Sequence, residues 1–384
     1  MNRKTILWIY NHPLNPEAGG TERITSLVMR GLSANGHKCL GILVINPVKG
    51  IVNYDDIEVW DIYSFLKQKH VDTVINQCGH GKDMLEFFIK KGGRKWHEEG
   101  GKIITCLHFS PKPYSVCYQF QSKKNKSWLD YYVIAKTWLM RHHLDKLDQK
   151  RIGMTYRYNY ENSDYFVMLS EVFRNYITES MGMVEASKLI AINNPLTFEN
   201  VLDKSLLSKK KNTILVVGRM LEWQKRILFC IKAWEKLYRK RVFKNWDLKL
   251  IGNGDDLDFY RGYVKKHHIE RISFVGQQNP EPYYEKSKIL LMSSKAEGWG
   301  LTLTEALQKG VVPIALNSSE VFRDIVTDGY DGFLVNDGAM SAFTKAIELL
   351  VSDKKLLFDM SSNALKSADK FSLGEAIKKW EKII

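Results

Sequence analysis

Residues 288–316 read "KILLMSSKAEGWGLTLTEALQKGVVPIAL" and hold a complete strand–loop–helix–strand unit. "KILLMSS" is an apolar run of strand length. "KAEGWG" is a glycine-bounded loop, "LTLTEALQKG" a helix closed by Gly310, and "VVPIAL" a second apolar strand. Two strands joined through a helix pair in parallel, since a parallel pair needs such a crossover. The loop then lies at the carboxyl end of the first strand, where open parallel sheets bind ligands. Gly298 and Gly300 leave backbone N–H groups open at a helix N-terminus, a favourable place for a phosphate or sugar oxygen. Glu297 sits in the loop and Glu305, eight residues on, inside the helix. Were the whole span helical, the two would stand roughly 12 Å apart. That exceeds the roughly 5–9.5 Å between the carboxyls of a glycosidase. The pair suits two ends of one elongated ligand better than acid and base on one bond. A capped helix with solvated carboxylates is the alternative reading.

The same alternation extends in both directions. "TILVVGRM", "DLKLIGNG", "ISFVGQ" and "GFLV" are further strands of the second half, each followed or preceded by a helical segment. In the first half "TILWIY", "KCLGILVIN", "VDTVINQC", "GKIITCLHFS" and "DYFVMLS" play the same part. Ile24, Leu27, Val28 and Leu32 give the first helix one apolar face, and Gly36 is placed to end it. The pattern predicts an α/β chain of two doubly wound, Rossmann-like domains with a ligand cleft between them. The expected spans are 1–200, 201–370 and a terminal helical piece, 371–384. The lysine-rich "DKSLLSKKKNT" is the expected linker. In the terminal piece Ile377, Trp380 and Ile384 should share an apolar face.

At 384 residues the chain exceeds one small core, which agrees with two domains. No run approaches the roughly 18 apolar residues of a membrane span. The start, "MNRKTILWIYNHP", has too short an apolar run for a signal peptide and reads as a first strand. Five scattered cysteines (Cys39, Cys78, Cys106, Cys117 and Cys230) contain no C-x-x-C pair. They read as reduced cytosolic thiols, with neither a zinc site nor a disulfide framework. The net charge of +14 implies an anionic partner. Residues 112–157 carry ten Lys or Arg against three Asp, interleaved with aromatics such as Tyr114, Trp128, Tyr132, Trp138 and Tyr156. That mixture suits anionic lipid headgroups or single-stranded nucleic acid, and equally a solvated helical excursion.

Several groups fall at strand ends. In "VVGRMLEWQKR", Gly218 ends a strand and Arg219 follows, with Lys225 and Arg226 near a helix start; such cations can hold a diphosphate. In "LIGNGDD", Gly252 and Gly254 permit close backbone approach, although position 257 is Leu and no G-x-G-x-x-G fingerprint results. Gly19 and Gly20 open a helix in "EAGGTER". His108 stands just past a strand in "CLHFSP", with His12 a similar case after the first strand. Each also has a plain structural reading as a turn, a helix end or a core histidine.

Taken together, these residues resemble the retaining glycosyltransferases of family 4, which have the GT-B fold. "EGWGLTLTEALQKGVVPIA" is similar to the family's E-x7-E signature, "GRMLEWQKR" to its diphosphate grip, and "GGTER" to its N-terminal glycine loop. "LHFS" looks like its catalytic-histidine strand end, and "DGYDGFLV" like the strand after its donor site. The resemblance implies that Glu297 binds donor-sugar hydroxyls and Glu305 the ribose hydroxyls. Backbone around Gly300, Leu301 and Thr302 would meet sugar and phosphates, and Gly276 and Gln277 would border the base. Arg219 and Lys225 would hold the departing diphosphate. His108 would contact the sugar and stabilise transition-state charge, and Gly19 and Gly20 would let the acceptor-side loop approach. The terminal helix would cross back to the first domain. No cofactor or metal is expected; the nucleotide-diphosphate sugar is a co-substrate. The implied activity is hexosyl transfer to a glycan or lipid-linked acceptor in surface polysaccharide synthesis, in the cytoplasm; the composition of residues 112–157, and not the resemblance, adds an expected contact with the inner membrane face. "INNPL" departs from the family's usual hinge, and residues 112–157 match no family motif. The alternatives are a GT-B phosphorylase or epimerase acting on a sugar nucleotide, or a basic protein binding single-stranded nucleic acid.

Overall fold

A computed structural model describes residues 3–17, 19–46, 51–54, 57–58, 61–112 and 128–384. The chain divides into two units. The first takes in the described residues before Ser115, then Ala135–Thr197 and Phe371–Ile384; the second is built on Phe198–Lys370.

The first unit holds an eight-stranded sheet of β1 (Thr5–Tyr10), β2 (Lys38–Asn46), β3 (Ile51–Tyr54), β4 (Ile57–Glu58), β5 (Thr73–Asn76), β6 (Lys102–Cys106), β7 (Tyr165–Met168) and β8 (Leu189–Ala191). Its order is β4-β3-β2-β1-β5-β6-β7-β8. The neighbours from β2 to β8 pair in parallel, with Ile6 opposite Cys39 and Thr73. A fully buried parallel strand reads as a continuous apolar run, as Ile6–Ile9 of β1 do, whereas β5 is buried throughout with polar Thr73 and Asn76 at its ends. β3 and β4 add to the β2 edge antiparallel, which the sequence pattern does not signal. The helix Gly20–Ala34 buries Ile24, Thr25, Val28 and Leu32 against the sheet and ends where Gly36 takes φ +91°.

The second unit holds β9 (Thr213–Val217), β10 (Asp247–Ile251), β11 (Ile272–Gly276), β12 (Ile289–Met292), β13 (Val312–Asn317) and β14 (Phe333–Asn336). All pair in parallel in the order β11-β10-β9-β12-β13-β14. The helices Ile227–Leu237 and Met340–Ser352 supply Trp234, Leu237, Phe343 and Ile347 to its core.

Three sequence expectations change. The lysine-rich stretch is no linker: Lys204–Lys209 form a 3-10 turn whose Leu207 packs with Leu202 and Leu365. Lys210 is 6% exposed and donates to the carbonyls of Tyr284 and Ser287 at 2.7 and 2.8 Å. The basic helix is two helices, Trp128–Leu139 and Arg141–Glu161, and the second turns Tyr156 and Asn159 into the core. Tyr114 and the rest of 113–127, Cys117 included, lie outside the described residues, as does the side chain of Trp138. In the terminal piece the helix stops at Glu381, so Ile383 and not Ile384 joins Ile377 and Trp380 inside.

Candidate functional site

In an open parallel sheet the crevice forms where strand order reverses, outside the carboxyl ends. In the second unit this point lies between β9 and β12. The loops leaving those strands are 218–226 and 293–300, which hold the diphosphate-grip candidates and the Glu297 segment. Lys225 Nζ donates to Glu297 Oε1 at 2.5 Å, with the two side chains 17% and 13% exposed. An ammonium and a carboxylate so placed bring a cation for phosphate and an acceptor for hydroxyls into one spot. Arg219, by contrast, extends exposed from the turn after β9.

Glycines allow these strand ends to crowd together. A Cβ on Gly252 would lie 1.9 Å from the Gly218 carbonyl oxygen, and one on Gly254 2.7 Å from that of Met220. Gly218 N–H donates to Ile251 O, and Gly252 N–H to Gly276 O, so the ends of β9, β10 and β11 are stitched in sequence. Gly276 takes φ +85°, and Gln277 is exposed beyond it.

Gly300 caps the Leu301–Gln308 helix with φ +104°, and Gly298, Leu301 and Thr302 are half-buried around that N-terminus. Because the helix begins only at Leu301, Glu305 lies little more than one turn inside it, and a helix from Glu297 onward does not exist. Glu305 is 3% exposed, which removes the reading of it as a solvated helix carboxylate.

Groups that no motif announced hold this arrangement. Glu222 N–H donates to Asp256 at 2.8 Å, while the Glu222 carboxylate accepts from Tyr260 Oη and Leu228 N–H. Burial raises the Glu222 pKa. Arg226 is turned away from the crevice: its Nε and Nη2 donate to the carbonyls of Ser293 and Ser294, and Nη2 pairs with Asp337. The sequence flagged Arg226 only as a second phosphate cation and the others not at all, since each acts through a partner 34 or more residues distant, the Leu228 contact apart.

In the first unit the reversal lies between β1 and β5. Gly19 is extended at the N-cap of the helix that Gly20 begins. His108, two residues past β6, meets Gln77 from the end of β5, with Nε2 2.5 Å from Oε1. That amide oxygen also accepts from Thr25 Oγ1 at 2.9 Å. An amide oxygen can only accept, so His108 carries its proton on Nε2 and leaves Nδ1 as a lone pair. Burial, then neighbouring His80, pushes the His108 pKa down to about 4, so the ring is neutral at pH 7. Asn159 anchors the loop after β5 by donating to Gly79 O and Gly81 O, and Tyr156 Oη donates to Pro111 O. The inner face of the basic helix is therefore structural. The four described cysteines are unbridged thiols, and burial pushes Cys78 up to about 11 and Cys230 to about 12. Among the described residues no helix is long and apolar enough to cross a membrane.

Residues 197–367 match the family model described as glycosyl transferases group 1. An uncharacterized glycosyltransferase of Haemophilus influenzae is 29% identical over 203 residues, 52% of this chain and 56% of its own length. The Campylobacter jejuni GalNAc-alpha-(1->4)-GalNAc-alpha-(1->3)-diNAcBac-PP-undecaprenol alpha-1,4-N-acetyl-D-galactosaminyltransferase is 28% identical over 192 residues, 50% of this chain and 53% of its own length. This chain thus spans just over half the length of these two curated relatives. The pneumococcal O-GlcNAc transferase GtfA, solved with UDP and GlcNAc, superimposes with a TM-score of 0.69 at 12% identity, over 100% of this chain and 98% of its own. That likeness shows the fold, which is the GT-B fold of two Rossmann-like sheets.

Proposed function

We propose that this chain is a retaining glycosyltransferase of family 4, moving a hexose from a nucleoside-diphosphate sugar to a glycan or lipid-linked acceptor. The observation that carries the reading is the Lys225–Glu297 pair at the strand-order reversal of the second unit, inside the segment that matches the group 1 transferases. Breaking a sugar–phosphate bond builds positive charge at the anomeric carbon and negative charge on the departing phosphate, and a catalyst must favour both. Lys225 and Arg219 would hold the diphosphate, and the backbone N–H groups of Gly300, Leu301 and Thr302 would add the positive end of a helix. These groups would meet the phosphate charge without a metal. Glu297 would accept from sugar hydroxyls and Glu305 from the ribose, with Gly276 and Gln277 bordering the base.

His108 would serve as a neutral acceptor, taking a hydrogen bond from a sugar hydroxyl at Nδ1 while Gln77 fixes the ring. Gly19 and Gly20 would give the acceptor-side loop its close approach. Retention by front-face attack would pass the acceptor's proton to the leaving phosphate, so that no side-chain base is required. Leu139, Met140, Leu147 and Met154 are exposed in the stretch that also exposes Lys146, Lys150 and Arg151, a mixture that would suit anionic lipid, near which a lipid-linked acceptor would lie. The UDP in the GtfA structure and the undecaprenol-linked acceptor in the Campylobacter protein's name support these substrate classes.

A thermal-shift screen of nucleotide sugars should identify a stabilising donor, and transfer should retain the donor's anomeric configuration by NMR. Glu297→Ala and Arg219→Ala should each lower donor turnover at least about 100-fold. Unchanged donor hydrolysis and transfer in both variants would overturn the reading.

A further inference from the structure

The two loops at the β9/β12 reversal are knitted together below Lys225 and Glu297. Lys295 N–H donates to Gln224 O at 2.7 Å. Ser293 Oγ lies 3.0 Å from Lys225 O and 2.9 Å from Arg226 O. In return, Arg226 Nε donates to Ser293 O at 2.7 Å and Nη2 to Ser294 O at 3.2 Å. The guanidinium then continues to Asp337, just past β14, at 2.7 Å. Arg226 takes φ +49°, left-handed backbone in which residues other than glycine are uncommon. This conformation turns the chain sharply between the short Glu222–Lys225 helix and the Ile227–Leu237 helix, sending successive side chains to opposite tasks. Lys225 points to Glu297, and Arg226 points under it to the backbone that leads to Glu297.

We propose that Arg226 is the positioning residue of this site. Its planar fork, spread over two carbonyls and a carboxylate, fixes the loop bearing Lys225 against the loop bearing Glu297 and ties both to the end of β14. A lysine cannot span that set, because its ammonium is a point donor without the fork. The guanidinium is 22% exposed, and a distance set by its fork is held to within the tolerance that such sites demand, where a shift of about 1 Å costs on the order of 100-fold. The assignment of a donor site to these loops is the reading given above; the latch itself rests on the loop geometry alone.

The test uses the full chain with Arg226→Gly and Arg226→Lys. Glycine is at ease at this φ, so the first variant removes the latch without adding backbone strain. Amide exchange should accelerate at residues 293–300 and 223–225 in Arg226→Gly, with β9 and β10 as protected as before. Lysine should restore part of the protection through Asp337. UDP, as the probe, should bind Arg226→Gly at least about ten-fold more weakly at temperatures far below its melting point. Unchanged exchange in both loops overturns the latch whatever UDP does. Altered exchange with undiminished UDP affinity also overturns it as a positioning device. If the wild-type chain fails to bind UDP while exchange responds as described, the latch stands and the UDP-donor reading falls.

Discussion

At Gly252 both the space and the backbone demand glycine. The residue takes φ +137°, and an added Cβ would stand 1.9 Å from the Gly218 carbonyl oxygen. Gly252→Ala should therefore force the ends of β9 and β10 apart and cost on the order of 3–5 kcal/mol, read as a fall in melting temperature. The sequence located this glycine at a strand end but favoured a plain turn there, because local spacing carries no information about a second strand. Arg226 shows the same limit from the other side. As a letter beside Lys225 it reads as another phosphate cation; its left-handed backbone and its partners Ser293, Ser294 and Asp337 give it a structural task. His108 was legible as a strand-end histidine, whereas Gln77, which selects its tautomer, was not.

Among elements, the turn Lys204–Lys209 with Lys210 departs furthest from its sequence reading. Three lysines and no long apolar run suggest a solvated linker, yet Lys210 is buried and donates to the carbonyls that end the Glu281–Lys286 helix. Burial lowers its pKa to about 7, against a raising pull from Glu285 and further lowering by Lys309 and Lys288. A lysine depressed in the folded state binds fewer protons there than in the unfolded chain between pH 7 and its unfolded value near 10.5. Its contribution to stability is accordingly present at alkaline pH and lost as pH falls to about 7. Each unit of depression is worth about 1.4 kcal/mol. The melting temperature of the wild type should rise between pH 6.5 and 9 relative to Lys210→Met, in which that dependence is absent; parallel curves would remove Lys210 as the source. The helix Leu301–Gln308 behaved differently. Its existence and its glycine cap followed from the letters, but the burial of Glu305 followed only from the elements packed around it.

Across the whole molecule, the terminal helix Leu373–Glu381 belongs to the first unit although it follows the second in sequence. Trp380 lies against Trp8 at 5.8 Å, Glu381 accepts from Asn35 at 2.8 Å, and Lys379 donates to Asn193 at 2.9 Å. Ile377 fills the space above Gly31, where a Cβ would come within 2.7 Å of it. Each large apolar side chain so buried stabilises by about 1.5–3 kcal/mol. Ending the chain after Lys370 should thus lower amide-exchange protection in β1 and β5 while β9 and β12 keep theirs; equal protection in both units would show that the helix adds little. By itself the sequence determined the alternation of strands and helices, the parallel sheets and the loops at their carboxyl ends. Those properties depend on hydrophobic periodicity and on glycine, which act over a few residues. Tertiary structure alone decided the β3–β4 addition, the burial of Lys210 and Glu305, the Gln77–His108 pair and the Arg226 latch. Each depends on desolvation or on a hydrogen-bond partner many residues away, and no short-range pattern records what a distant segment will bring.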